Sequence, residues 1–159
     1  MPTAVIKYKP WIMGIDPGKS GGIACLSLDG KKQEVFKMPD TLTDLHSIFT
    51  GMKPTFTILE KVWSMPGEGH AGAFTFGEGF GALKMGLVAC KLPHEILTPS
   101  KWIKYMSIPN RKRTEERRDW KNRLKAEAQQ LFPNLKVTLW SSDALLIAEC
   151  ARRKYAQTH

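Results

Sequence analysis

Acidic residues are scarce in this chain. Fifteen Asp and Glu stand against 24 Lys and Arg, giving a formal charge of +9 and a pI near 9.6. That balance favours a polyanionic partner, and nucleic acid is the commonest one. Cysteine is scarce too. Cys25, Cys90 and Cys150 are odd in number and lie in apolar contexts. No two are close enough in sequence for a zinc knuckle, so they read as reduced core residues of an intracellular, cytoplasmic protein. No apolar run approaches a membrane span, and the N-terminus lacks the apolar core of a signal peptide; neither a membrane partner nor secretion is expected. The composition of disorder is absent as well, with 42% hydrophobic residues and five Trp. A length of 159 residues suits one domain over 1–159. Residues 1–10, with Ala4, Val5 and Ile6, read as a tail or an added edge segment.

One stretch organises the rest: Met13-Gly14-Ile15-Asp16-Pro17-Gly18-Lys19-Ser20-Gly21-Gly22. Trp11, Ile12, Met13 and Ile15 form the short apolar run of a buried central strand. Asp16 closes that run. Pro17 and Gly18 stop it, and Gly18, Gly21 and Gly22 permit a tight turn and the approach of a bulky group. Residues 23–28 read as the returning strand, with Asp29-Gly30 as a hairpin turn. A carboxylate on a buried strand needs a metal ion, a Lys or Arg, or backbone N–H groups beside it. From Asp16 alone, a turn in which it bonds its own backbone is an equal reading. A phosphate loop needs four residues between its first Gly and Gly-Lys. Only three separate Gly14 from Gly18, so no nucleotide cofactor is expected.

Residues 33–38 read as a third strand. A helix through Leu42, Leu45, Ile48 and Phe49 follows, ended by Gly51 and Pro54. Phe56-Thr57-Ile58-Leu59-Glu60 is the next strand, and it too finishes on an acid. In open sheets with parallel strands, sites gather at the carboxyl ends of strands. The glycine-rich stretch 62–76, with His70, reads as a mobile loop beside that second acid. Phe74, Phe76, Phe80, Leu83, Leu87 and Val88 look helical, as core or as a subunit interface, with Gly77, Gly79 and Gly81 set for close packing. Residues 94–98 make a fifth strand, and Pro99-Ser100 opens a helix carrying Trp102, Ile103 and Met106.

The charge is focused. From 99 to 125 the chain holds ten basic residues (Lys101, Lys104, Arg111, Lys112, Arg113, Arg117, Arg118, Lys121, Arg123, Lys125) against Glu115, Glu116 and Asp119, a surplus of +7 within the total of +9. Eight of the ten lie between 111 and 125 and would repel one another without an anion. Thr114 is the expected cap of a helix with the stripe Trp120, Leu124, Ala128 and Leu131. In the last helix Ser141 or Ser142 caps, and Ala144, Ile147, Ala148 and Ala151 form a narrow face for a sheet. Asp143 stands in its first turn, where a helix dipole alone would favour an acid. Arg152, Arg153 and Lys154 close it.

Jointly the acids say more. Two end strands and a third opens a helix on the same sheet. Carboxylates gathered so closely repel unless cations lie between them. Hard oxygen ligands select Mg²⁺ or Mn²⁺, and two such ions clamp a phosphodiester undergoing hydrolysis. With a basic surface, this reads as a metal-dependent nuclease.

Gly14-Ile15-Asp16-Pro17-Gly18, Ile58-Leu59-Glu60-Lys61-Val62 and Ser142-Asp143-Ala144-Leu145-Leu146-Ile147-Ala148 resemble the three signature blocks of RuvC-type Holliday-junction resolvases. Ser64-Met65-Pro66-Gly67 and Phe74-Thr75-Phe76-Gly77 are similar to the short phage-borne members, which act in a host cytoplasm. The resemblance implies an α/β fold, a ribonuclease H-like mixed sheet of about five strands flanked by helices. It implies a homodimer that makes paired symmetric nicks across a four-way DNA junction with two Mg²⁺ or Mn²⁺ per site. Asp16, Glu60 and Asp143 would be catalytic metal ligands. Lys104 matches a lysine near the scissile phosphate, and Lys121 is a weaker match to a second. Lys101, Lys104, Arg111, Lys112, Arg113, Arg117, Arg118 and Lys121 are the expected DNA-binding residues, and the apolar face of Phe80, Leu83 and Leu87 the expected dimer interface.

One departure stands out. The family commonly carries another acid or a His one helical turn before the last Asp, where this chain has Trp140. Glu149, six residues after Asp143, faces elsewhere. A structure-selective binder of branched DNA with weak or no catalysis, and a broader debranching nuclease, are the rival readings.

Overall fold

The computed structural model describes residues 10–64 and 66–159. The tail assigned to 1–10 lies outside the described residues except for Pro10, as does Met65 of the loop motif.

Five strands form one mixed sheet: β1 (Trp11–Asp16), β2 (Gly22–Ser27), β3 (Gln33–Lys37), β4 (Phe56–Glu60) and β5 (His94–Leu97), in the order β3-β2-β1-β4-β5. The first three form an antiparallel meander, while β4 and β5 run parallel to β1. Around the sheet lie α1 (Leu42–Met52), α2 (His70–Ala89), α3 (Pro99–Tyr105), α4 (Arg117–Leu131) and α5 (Leu139–Thr158). The expected α/β class with five strands and flanking helices is the observed one.

Side chains alternate across a strand, so β1 feeds two cores. Met13 and Ile15 join Ile23, Cys25 and Leu59 beneath α1 and α2, around Phe49, Leu83 and Leu87. Ile12 joins Ala24, Leu26 and Ile58 beneath α5, with Trp102 and Leu124 from α3 and α4. Burial pushes the Cys25 thiol up to about 12 and the Cys150 thiol up to about 11. All three cysteines are free. No helix among the described residues is long and apolar enough to cross a membrane.

The seam between β1 and α5 sets the depth of the sandwich. A Cβ on Gly14 would lie 2.2 Å from the Ala148 backbone nitrogen and 2.6 Å from the Ala144 carbonyl oxygen. Only glycine on the strand and alanines on the helix let the two backbones meet so closely. The helix is started by Thr138, whose side chain and that of Ser141 form a reciprocal capping box. The cap therefore precedes Ser142, and Ser141 serves at the third helical position instead.

Several boundaries move. Gly51 lies inside α1, which ends where Lys53 turns left-handed at φ 42°. The long loop expected over 62–76 is shorter, because α2 begins at His70. Gly77, Gly79 and Gly81 have nothing within 4 Å of a Cβ position; the packed glycine of α2 is Gly86, against Phe49. Leu83 and Leu87 are buried in the chain's own core, so they cannot form a subunit interface. Glu116, not Thr114, precedes α4. Leu131 is 38% exposed, and Phe132 takes the buried place. Arg152, Arg153 and Lys154 do not close α5, which runs on to Thr158.

Gly14→Ala is expected to lower the free energy of unfolding by about 2–3 kcal/mol, because neither backbone can retreat. Gly79→Ala, in the open middle of α2, should raise it by about 0.5–1 kcal/mol. Denaturant titrations of both variants check this; equal stabilities for Gly14→Ala and the parent would disprove the seam.

Candidate active site

Asp16 shares strand parity with Ile12 and Gly14, and Glu60 shares it with Ile58, so both acids face the side that α5 covers. β1 and β4 are parallel neighbours, with Ile15 opposite Leu59, so both acids stand at the same carboxyl edge. Behind Asp16 the chain turns hard: the Gly18 carbonyl accepts from the Gly21 N–H at 3.0 Å, and Gly18 has φ 98°. The Phe76 ring of α2 lies over that turn, 2.7 Å from where a Gly18 Cβ would be.

Asp143 reaches the same edge from α5, which crosses this face at Gly14. It sits in the second helical turn, not the first, since the helix starts at Leu139. It is 4% exposed. Ser142 Oγ lies 3.4 Å from its Oδ1, and Lys121 Nζ of α4 donates to its Oδ2. Glu60 has a partner of its own, Trp102 of α3, whose Nε1–H donates to Glu60 Oε2 at 2.7 Å.

The electrostatics tie these groups together. Burial lifts the Asp16 carboxyl well above the usual carboxylate range, and the charges of Asp143 and then Glu60 lift it further, while Lys121 opposes them. Burial pushes Glu60 up to about 7; the Trp102 hydrogen bond pulls it down, Asp143 raises it and Lys121 lowers it. Lys121 is disfavoured as a cation by burial, but Asp143, then Asp16 and Glu60, outweigh that and raise its pKa. Each of the three acids thus feels the same ammonium. As the side chains stand, no three His, Cys, Asp or Glu among the described residues close into a cation cage. The Lys121 ammonium lies against Asp143 instead. The donor chemistry nevertheless suits a hard divalent cation: carboxylate oxygens, two groups held above their ordinary pKa, and too little positive charge.

The other expected site residues divide. Lys101 and Lys104 are exposed on α3, and Arg111, Lys112, Arg113, Arg117 and Arg118 are exposed from the α3–α4 loop into the first turn of α4. Lys121 leaves that surface set, since its side chain turns inward to Asp143. Trp140 supplies no oxygen; its ring packs 3.0 Å from the Cβ position of Gly22, with the Lys37 ammonium 5.8 Å from its centroid. Glu149 is paired with Arg152 and Arg153. The sequence places Trp102 on a helix and gives it no role at the site. A buried indole N–H seeks an acceptor, and that was the available signal. Lys121 is spaced with Leu124 and Ala128 on one helical stripe, the sign that it points inward.

A carboxyl with a raised pKa stabilises the folded state below its unfolded value, and that stability is lost as pH rises through its folded value. With Glu60 near 7 against an ordinary 4.5, and Asp16 shifted in the same direction, the metal-free protein should lose stability from about pH 5 to about pH 8. Glu60→Gln carries no such proton and should flatten the loss. Urea unfolding in EDTA across that range checks it, and a Glu60→Gln curve parallel to the parent's would contradict it.

No protein-family profile and no curated protein sequence matches the chain. Solved structures do. Over 93% of this chain and 96% of the other, it superimposes on RuvC from T. thermophilus in complex with a Holliday junction substrate, at a TM-score of 0.64 and 15% identity. Thermus thermophilus RuvC by itself gives 0.63 and 16% over the same shares. The chain therefore has the ribonuclease H-like fold of the RuvC resolvases.

Proposed function

We propose that the protein is a metal-dependent endonuclease that resolves four-way DNA junctions by paired, symmetric phosphodiester hydrolysis. The observation that carries this is the meeting of Asp16, Glu60 and Asp143 at one sheet edge, under-neutralised and flanked by exposed cations. The fold shared with RuvC, one structure of which holds a junction substrate, supports the choice of branched DNA.

Asp16, Glu60 and Asp143 would hold Mg²⁺ or Mn²⁺, two per site. Bound there, the ions would supply an activated water and stabilise the leaving oxygen. The chain's own residues prepare that site. Trp102 fixes one oxygen of Glu60 and leaves the other available. Lys121 neutralises Asp143 in the free protein; a cation bound by Asp143 would release that ammonium to pair with a phosphate. Lys104, at the end of α3 beyond Trp102, is assigned to the scissile phosphate. Lys101, Arg111, Lys112, Arg113, Arg117 and Arg118 bind the backbone of the arms without reading sequence.

Trp140 favours a second reading, a branched-DNA binder with weak or no catalysis, because a ring replaces a fourth ligand. The two readings separate on one substrate set. With Mg²⁺ or Mn²⁺, the parent should nick opposed strands of a synthetic junction in preference to forks and flaps. Asp16→Asn and Asp143→Asn should lower cutting by at least ~100-fold while retaining gel shifts. Junction shifts without nicks in either ion would establish the binder, and undiminished cutting by Asp16→Asn would sink the nuclease.

A homodimer belongs to the proposal, since two sites related by a two-fold axis cut opposed strands together. Its interface is assigned to the stripe of α2 at 74, 77, 81, 85 and 88, which the helical period aligns. Phe74, Met85 and Val88 are 74%, 62% and 57% exposed there, and Gly77 and Gly81 leave the backbone open. Light scattering should give a dimer for the parent and a folded monomer for Met85→Arg. A parent that is monomeric at micromolar concentration contradicts this.

A further inference from the structure

Arg123 of α4 turns back along the chain, unlike the exposed Arg117 and Arg118 of the same helix. Its guanidinium grips the loop 106–116 that joins α3 to α4. Nε donates to Glu115 Oε1 at 3.1 Å and Nη2 to Glu115 Oε2 at 2.9 Å. Nη1 donates to the Pro109 carbonyl at 2.7 Å, and Nη2 also to the Asn110 carbonyl at 3.2 Å. The Arg123 Cζ lies over the Trp120 ring, 4.5 Å from the centroid. Glu115 passes the hold on: its carboxylate accepts from the Lys112 N–H at 3.2 Å, and its carbonyl accepts from Arg111 Nε at 3.0 Å. Two separate stretches of the loop, Pro109-Asn110 and Glu115, are thereby fastened by one planar fork. A lysine ammonium has the charge but not the fork.

The loop's two helices are each tied to the carboxylate cluster. Trp102 of α3 donates to Glu60, and Lys121 of α4 donates to Asp143. What Arg123 holds in shape is therefore also held at a fixed distance from the site. The loop carries Arg111, Lys112 and Arg113 in succession, all exposed. As an isolated surface ion pair, Arg123–Glu115 would add little to stability. Its geometry has a different consequence, because a flexible loop loses entropy when it binds and a preformed one does not.

We propose that Arg123 is a positioning residue that presents Arg111, Lys112 and Arg113 to the DNA backbone as one preformed cluster, and does not itself touch phosphate. This rests on the DNA-binding reading above, and its test has a DNA-free arm. Limited trypsin digestion without DNA should cut at Lys112 or Arg113 roughly tenfold faster in Arg123→Lys and Glu115→Gln than in the parent. Junction affinity, followed by fluorescence anisotropy over a salt series, should fall about three- to tenfold in Arg123→Lys with the salt slope unchanged. Arg113→Gln should instead flatten the slope by about 0.9. Circular dichroism melts show that the variants are folded. Unchanged digestion and affinity in both staple variants would overturn the proposal, as would a slope flattened by about 0.9 in Arg123→Gln, which would place Arg123 on a phosphate. A parent that binds no junction at any salt would refute the DNA-binding reading itself, whatever the digestion gives.

Discussion

The close approach of α5 to β1 is the constraint on which the site depends. Gly14 has no side chain, and Ala144 and Ala148 have the smallest, so the helix backbone rests almost on the strand. Asp16 is two residues along the strand from Gly14, a rise of about 7 Å. Asp143 is one residue before Ala144 on the helix. Lowering the helix onto the strand at Gly14 therefore brings Asp143 to the strand end where Asp16 stands. A larger residue in the seam would lift α5, and Asp143 with it, off that edge. The packing that closes the apolar core also sets the spacing of the acids.

That spacing creates a charge problem with a definite count. Three carboxylates share one edge, and Lys121 supplies one ammonium. If all three ionise, two negative charges remain uncompensated. Asp16 and Glu60 are held above their ordinary pKa, burial first and their neighbours second. Without added cations, that shift favours the retention of protons at this edge. A divalent cation held there, as proposed above, would meet the uncompensated charge without them, since only ionised carboxylates can ligate one. Metal binding at this edge would thus be coupled to proton release.

The parts of this arrangement that could be read from sequence are those set by local rules. Short apolar runs, β-branched and aromatic residues and turn residues mark the strands on which Asp16 and Glu60 sit, and the small residues of the last helix mark its sheet-facing side. Errors gather where distant residues decide. The start of α2 was hidden because His70, Gly72 and Gly77 are poor helix formers, and the helix is held by the burial of Leu83 and Leu87. Those two leucines looked available for a partner only because nothing in the sequence tells a core face from an interface face. The cap at Thr138 was missed by three or four residues, and with it the position of Asp143 within its helix. Gly14 carried no local sign of its partner 134 residues away, since its role is written on α5.

The basic segment makes the same point about charge. Ten cations within 27 residues look alike in a sequence, yet the fold gives them different work. The stripe of Leu124 and Ala128 carries Lys121 inward to an acid. Arg123 lies beside Trp120 and turns back onto its own loop. Arg111, Lys112, Arg113, Arg117 and Arg118 are left outside. An inward cation strengthens the local structure and withdraws from the long-range field; an outward one does the reverse. The net charge of a segment is therefore an upper bound on what it offers to a polyanion, and the helical period decides how far below that bound the surface lies.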